Sequence, residues 1–172
     1  MKQPKQTLTT GANNESAPVV ASNDQRPALL AVDCGLKTGL ALFDPDGRLL
    51  WYRSHNFGSR QRLKKAAWQI LHDLDGLSQL VVEGGGDLVE IWRKIAQKRG
   101  IQVYVVQATT WRRDLLLPRQ QRTGKQAKQV ADELAREIIE QSGAARPTSL
   151  RHDAAEAILV GCWATRHKKA PD

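Results

Sequence analysis

The chain has 172 residues, of which 41% are apolar and 26% are charged, and these values are ordinary for a soluble globular domain. A domain of this length buries enough surface to fold without disulfide or metal staples. The net charge of +8 favours an anionic partner such as nucleic acid, although solubility alone would explain it equally well. No segment approaches the roughly 20 apolar residues of a membrane span, so no membrane contact is expected.

The two cysteines, Cys34 and Cys162, lack the CxxC spacing of zinc and redox sites. Both lie among apolar residues, which is typical of buried free thiols. A chain without a disulfide framework is expected in a reducing compartment. We therefore predict the cytoplasm of a bacterium or of a phage's host, and an organelle remains open.

Composition divides the chain into three parts. Residues 1–27 are polar and too poor in apolar side chains to offset the entropy of ordering, so a disordered tail is predicted. Residues 28–167 carry the patterned segments of one domain. Residues 168–172 are expected to form a short, basic and flexible end.

The domain should begin with three antiparallel strands, at residues 28–33, 38–43 and 48–55. The first is a short apolar run of the kind found in strands buried on both faces. The segment DPDG at 44–47 is a strong turn signal and predicts a hairpin between the second and third strands.

Helices and strands alternate after this hairpin. Helices are predicted at 59–74 and 87–99, where Ser59 is a candidate N-cap, and strands at 79–83 and 101–106. A basic, irregular segment is predicted from 107 to 124, followed by helices at 125–141 and 152–166. This order predicts an α/β fold with a five-stranded mixed sheet and helices on both faces.

Four carboxylates occupy places that suggest a common site. Asp33 and Glu83 each end a buried strand, and Asp153 and Glu156 share one face of the last helix. Each alone is better explained structurally, as a turn acceptor, a solvated strand end or a first-turn acid. Together they would repel one another in a desolvated place, and divalent cations with oxygen ligands would remove that repulsion. Two Mg²⁺ or Mn²⁺ ions in such a site support phosphodiester hydrolysis.

Three segments resemble known motifs. AVDCGLKTG at 31–39, VVE at 81–83 and HDAAEA at 152–157 are similar to the acidic motifs of the RuvC-type Holliday-junction resolvases, an RNase H-like family. The basic stretch with TTWR at 109–112 and AKQV at 127–130 looks closest to their chloroplast-type and phage-like branch. The chain departs from many relatives at Cys34, where they have proline, and at Glu156, where bacterial relatives often have Asp.

The resemblance implies an RNase H-like fold and a homodimer that cuts four-way DNA junctions with two metal ions. Its metal ligands would be Asp33, Glu83, Asp153 and Glu156. A lysine near the start of the helix predicted at 125–141 would assist catalysis. We choose Lys128 for that role, with Lys125 as the alternative.

The basic segment is the predicted DNA-binding region, because a long basic loop seldom has a purely structural use. Trp111 could stack on an unpaired base or wedge into a junction. The expected DNA-binding residues are Trp111, Arg112, Arg113, Arg119, Arg122 and Lys125. Two further basic clusters, at 60–65 and 93–99, are better explained as solvated helix faces. Trp68 and Trp92 are expected to pack in the core.

Two alternative functions remain open from the sequence. A non-cleaving nucleic-acid-binding module could use the same fold and keep the acids as remnants. A YqgF-like RNA-processing nuclease would share the opening motif, but that family lacks a strand-ending glutamate such as Glu83.

Overall fold

The computed structural model describes residues 27–167. Residues 1–26 of the predicted tail and the predicted end at 168–172 lie outside the described residues.

Five strands form one mixed sheet, as the sequence predicted. The strands are β1 (Leu29–Asp33), β2 (Lys37–Phe43), β3 (Leu49–Asn56), β4 (Gln79–Glu83) and β5 (Gln102–Val106). Their order across the sheet is β3-β2-β1-β4-β5. The first three pair antiparallel, whereas β1 pairs parallel with β4, and β4 with β5. Strand β1 is therefore central, which explains its unbroken apolar sequence.

Local signals set the turn and the first helix where the sequence places them. The Asp44 carboxylate accepts the backbone N–H groups of Asp46 (3.0 Å) and Arg48 (2.8 Å), and Gly47 has a φ of 82°. The Ser59 hydroxyl accepts the backbone N–H of Arg62 and so caps the first helix.

Helices cover both faces of the sheet, as expected. They are α1 (Arg60–Asp73), α2 (Gly86–Lys98), α3 (Ala108–Leu115), α4 (Gly124–Ser142) and α5 (His152–His167), with a short 3-10 helix at Pro118–Gln121. Helices α1 and α2 pack on one face, and α3, α4 and α5 pack on the other. Within residues 27–167, no helix combines the length and the apolar character that crossing a bilayer requires.

The prediction of an irregular segment at 107–124 was wrong, because α3 and the 3-10 helix occupy most of it. Trp111 and Leu115 are four residues apart and share one helical face. Both pack into the core beneath α5. This tertiary contact stabilises a helix in a segment whose arginines had suggested an open loop.

The two helical tryptophans differ from each other. Trp92 on α2 is fully buried, as predicted. Trp68 on α1 is 52% exposed, so the prediction that it packs in the core was wrong. Its ring stacks on His72 at the surface, with 5.0 Å between ring centroids.

Candidate active site

One row of paired residues crosses four strands and carries two of the predicted acids. Asp33 pairs with Glu83 on β4 and with Gly39 on β2, and Gly39 pairs with Ser54 on β3. Directly paired residues project to the same face of a sheet. Because Ala31 and Val81, two positions earlier, lie in the core beneath α5, both carboxylates also project toward α5.

Helix α5 supplies the other two acids from above this row. A methyl group on Gly39 would overlap the backbone carbonyl of Asp153, so glycine is what allows the start of α5 to lie directly on β2. Glu156 is only 8% exposed and faces the sheet. Carboxylate oxygens of Asp33, Glu83 and Glu156 all lie within 4.8 Å of one another. We call these three residues the acidic triad.

Asp153 lies beside the acidic triad rather than within it. Its Oδ2 atom accepts a hydrogen bond of 2.5 Å from the Ser54 hydroxyl. Its charge is nevertheless close enough to raise the pKa of Asp33. The structure thus brings three of the four predicted ligands together and holds the fourth next to them.

Burial and like charge make this site costly to ionise. Burial is the largest cause that raises the pKa of Asp33 to about 8, followed by the charges of Glu83, Glu156 and Asp153. The pKa of Glu83 is also raised, first by burial and then by Glu156. The charge of Arg112 opposes both increases.

Trp111 contacts this site from the buried core, which corrects its predicted role as a DNA-binding residue. Its side chain is fully buried, and its indole Nε1–H donates a 3.0 Å hydrogen bond to Oε2 of Glu83. A fully buried ring cannot stack on a base of DNA, so the prediction of a stacking or wedging residue was wrong. Its side chain turns inward because α3 is a helix with its apolar face on the core.

Arg112 also reaches the acids, although the sequence suggested only DNA contact. Its guanidinium forms an ion pair with Oε1 of Glu156. The guanidinium carbon lies 5.1 Å from the centroid of the Trp111 ring, within the range of a cation–π contact. Two consecutive residues of α3 therefore hold two members of the acidic triad.

Neither the family models nor the curated proteins contain a match to this chain. Among solved structures, T. thermophilus RuvC in complex with Holliday junction substrate matches with a TM-score of 0.57 at 17% identity, over 81% of this chain and 94% of that chain. The chain has the RuvC fold. The yeast mitochondrial Holliday junction resolvase Ydc2 is a looser match, with a TM-score of 0.45 at 13% identity over 84% of this chain and 82% of that chain.

The RuvC match confirms the predicted RNase H-like architecture and the predicted likeness to RuvC at the level of the fold. The nearer likeness to the chloroplast-type and phage-like branch stays a prediction. Within this fold, Asp33 and Glu83 end two neighbouring central strands, and Asp153 and Glu156 lie on the last helix.

The donor atoms of the acidic triad suit a divalent cation. All three are carboxylates, and oxygen ligands in a partly desolvated place are what Mg²⁺ and Mn²⁺ prefer. Asp33, Glu83 and Glu156 are therefore the residues that could hold a metal, whereas Asp153 is hydrogen-bonded to Ser54.

The remaining predicted DNA-binding and catalytic cations are exposed. They follow one another along α3, the 3-10 helix and the first turns of α4: Arg113, Arg119, Arg122, Lys125 and Lys128. Their exposure is compatible with phosphate contacts. The roles of these residues, including that of Lys128 in catalysis, stay predictions.

Two polar residues of the site were missed by sequence reasoning. Nε2 of His152 lies 3.4 Å from Oε2 of Glu156, and the spacing of four residues on one helix could have indicated this contact. Ser54, which holds Asp153, could not have been found in this way. Its position depends on the register between β2 and β3.

Proposed function

We propose that the chain is a divalent-metal-dependent endonuclease that resolves four-way DNA junctions. The observation that carries this proposal is the acidic triad, three carboxylates within 4.8 Å of one another on two central strands and the helix facing them. Ionised carboxylates that repel one another in a partly buried site destabilise the fold unless a cation neutralises their charge. Perturbed acids of this kind are candidates for catalysis.

The chain's own residues would divide the work of phosphodiester hydrolysis. Asp33, Glu83 and Glu156 would hold Mg²⁺ or Mn²⁺, and Asp153 would complete a second position. When bound, such a pair of ions would supply activation of a water molecule and stabilisation of the leaving oxygen. Trp111 would orient Glu83 through its indole N–H, as hydrogen-bond partners of metal ligands do in other metalloproteins.

Branched DNA is the proposed substrate, and two features support it. The net charge of +8 and the exposed cations of residues 113–128 offer contacts to phosphates. The RuvC structure with the same fold is a complex with a Holliday junction substrate. Four-way junctions are therefore the first substrate to test.

We also propose that the protein acts as a homodimer, since symmetric cutting of a junction needs two active sites. The outer face of α1 and α2 is the candidate dimer surface. Trp68 is exposed there beside Ile95, in a groove of about 660 Å³ whose apolar surface includes the stems of basic side chains. An exposed apolar patch of this kind often marks an interface.

The deciding experiment compares four-way junction, linear duplex and RNA–DNA hybrid substrates, each with and without Mg²⁺. Symmetric nicking of the junction alone, only with metal, is the expected result. The Asp33→Asn variant should lose cleavage by at least a hundredfold and keep junction binding. Asp75→Asn serves as the control and should cut normally, because Asp75 is an exposed acid before β4, at the opposite end of that strand from Glu83. Undiminished cutting by Asp33→Asn would refute the proposed centre.

A non-cleaving nucleic-acid-binding module is the second candidate, and one observation favours it. Arg112 already neutralises Glu156, so part of the acidic charge is compensated without a metal. Calorimetric titration with Mn²⁺ separates the two functions. Junction binding without any Mn²⁺ site would favour the binding module.

A further inference from the structure

Both carboxylate oxygens of Glu156 face groups of the protein. Oε1 is paired with the Arg112 guanidinium, and Oε2 lies 3.4 Å from Nε2 of His152. Glu156 is 8% exposed, so water has little access to either oxygen. A cation that binds the acidic triad must therefore compete with Arg112 for Glu156.

Contacts of α3 with its neighbours hold Arg112 close to the acidic triad. Trp111 is anchored by its hydrogen bond to Glu83, and the next residue, Arg112, lies against the indole ring. The Gln121 amide donates to the backbone carbonyls of Arg112 (3.2 Å) and Leu116 (2.8 Å), which ties the end of α3 to the 3-10 helix. The helix is thus held at both ends of this stretch, while the long Arg112 side chain, 32% exposed, retains a route to solvent.

We infer that Arg112 is an internal counter-ion of the acidic triad, which holds Glu156 in the absence of metal and is displaced when a divalent cation binds. This inference rests on the proposed function only in that the acidic triad binds metal. The guanidinium is permanently charged and its planar fork matches a carboxylate, so the pair is stable without metal. Removing one partner would leave the buried charge of Glu156 uncompensated.

The counter-ion role predicts the direction in which removal of Arg112 changes the affinity for metal. If Arg112 competes with the cation, its removal must strengthen metal binding. If Arg112 instead supports the metal site by positioning Glu156, its removal must weaken metal binding. Where one bound group changes a protein's affinity for another, the change is typically about 5- to 150-fold.

The test is calorimetric titration of the full chain with Mn²⁺, without DNA. The Arg112→Gln variant is expected to bind Mn²⁺ roughly tenfold more tightly than the native protein. Arg113→Gln is the matched control, because it removes the same charge from the next residue, whose side chain is 79% exposed and paired with Asp114. The control should bind Mn²⁺ with nearly native affinity.

A second readout and a second variant guard against misfolding. Without metal, Arg112→Gln should melt at a lower temperature than the native protein, and saturating Mn²⁺ should raise its melting temperature by more than that of the native protein. Arg112→Lys keeps a positive charge but loses the planar fork, so its Mn²⁺ affinity should lie between the other two.

Equal or weaker Mn²⁺ binding by Arg112→Gln and Arg112→Lys would overturn the counter-ion role and leave the proposed nuclease intact. Absence of Mn²⁺ binding to every variant, the native chain included, would overturn both proposals.

Discussion

At the scale of single residues, the site is a balance between acids that repel and donors that hold them. The pKa of Asp33 is raised to about 8, first because the side chain is buried and then because three acids surround it. Trp111 and Trp92 are both fully buried, yet only the indole N–H of Trp111 has an acceptor, whereas that of Trp92 has none among the described residues. The hydrogen bond to Glu83 is therefore a specific feature of the site and not a general property of buried tryptophans here.

The raised pKa of Asp33 predicts how stability depends on pH in the absence of metal. The folded pKa of about 8 exceeds the ordinary aspartate value of 3.8, so the folded state holds the proton more tightly than the unfolded state. Asp33 therefore does not affect stability below about pH 4. Between about pH 4 and pH 8 the unfolded chain releases a proton that the folded state keeps, so the free energy of unfolding falls as the pH rises. Asp33→Asn cannot ionise and should be more stable than the native protein by on the order of 2 kcal/mol at pH 8.

Urea unfolding in the presence of EDTA, at several pH values, measures this effect. The stability difference between Asp33→Asn and the native chain should grow with pH and then level off. Asp75→Asn again serves as the exposed control and should show no such growth. A difference that stays constant with pH would contradict the account of Asp33.

At the scale of elements, two glycines place α5 on the sheet. Side chains at either position would collide, because a methyl group on Gly39 would overlap the Asp153 backbone and one on Gly161 would overlap the Phe43 ring. Between these two close contacts, α5 delivers Glu156 to the strand ends that carry Asp33 and Glu83. The distance from α5 to β2 thus decides whether the acidic triad closes.

Gly39→Ala tests this dependence. The added methyl group should push the start of α5 away from β2, lower stability by about 1–3 kcal/mol and weaken Mn²⁺ binding. Gly124→Ala is the control, since a methyl group there meets no atom within 4 Å and Gly124 begins α4 without a positive φ. Native Mn²⁺ affinity in Gly39→Ala, measured by calorimetry, would show that the position of α5 does not govern the site.

At the scale of the whole molecule, the two faces of the sheet differ in use. The face with α3, α4 and α5 carries the acidic triad and the exposed cations that follow it. The opposite face, with α1 and α2, carries Trp68 among basic residues. Apolar contact favours pairing of two copies through that face, whereas the like charges around it oppose pairing.

Trp68→Ala should therefore raise the dissociation constant of the proposed homodimer by about tenfold or more, since buried aromatic residues dominate such interfaces. Sedimentation velocity would measure it. Leu117→Ala is the matched control, because Leu117 is 51% exposed, close to the 52% of Trp68, but lies beyond α3. Added salt should strengthen the dimer by screening the basic rim, while it weakens binding to DNA.

A different outcome would assign this face to nucleic acid. In that case Trp68→Ala would weaken junction binding and leave the oligomeric state unchanged. Monomeric native protein at all salt concentrations would contradict the proposed homodimer.

Much of the fold could be predicted from the sequence, because it depends on local and periodic signals. The apolar run of β1, the DPDG turn and the Ser59 cap each act within a few residues, and all lie where they were predicted. The acids at the ends of β1 and β4 could be found because parallel neighbouring strands bring their carboxyl ends together.

Contacts between distant segments decided the rest. The inward turn of Trp111, the pairing of Arg112 with Glu156 and the hold of Ser54 on Asp153 join residues that are 28, 44 and 99 positions apart. An arginine beside a tryptophan has the same local pattern whether it faces DNA or a buried acid. Only packing of α3 beneath α5 determined which of these it does, because burial and register arise from the whole sheet and not from any one segment.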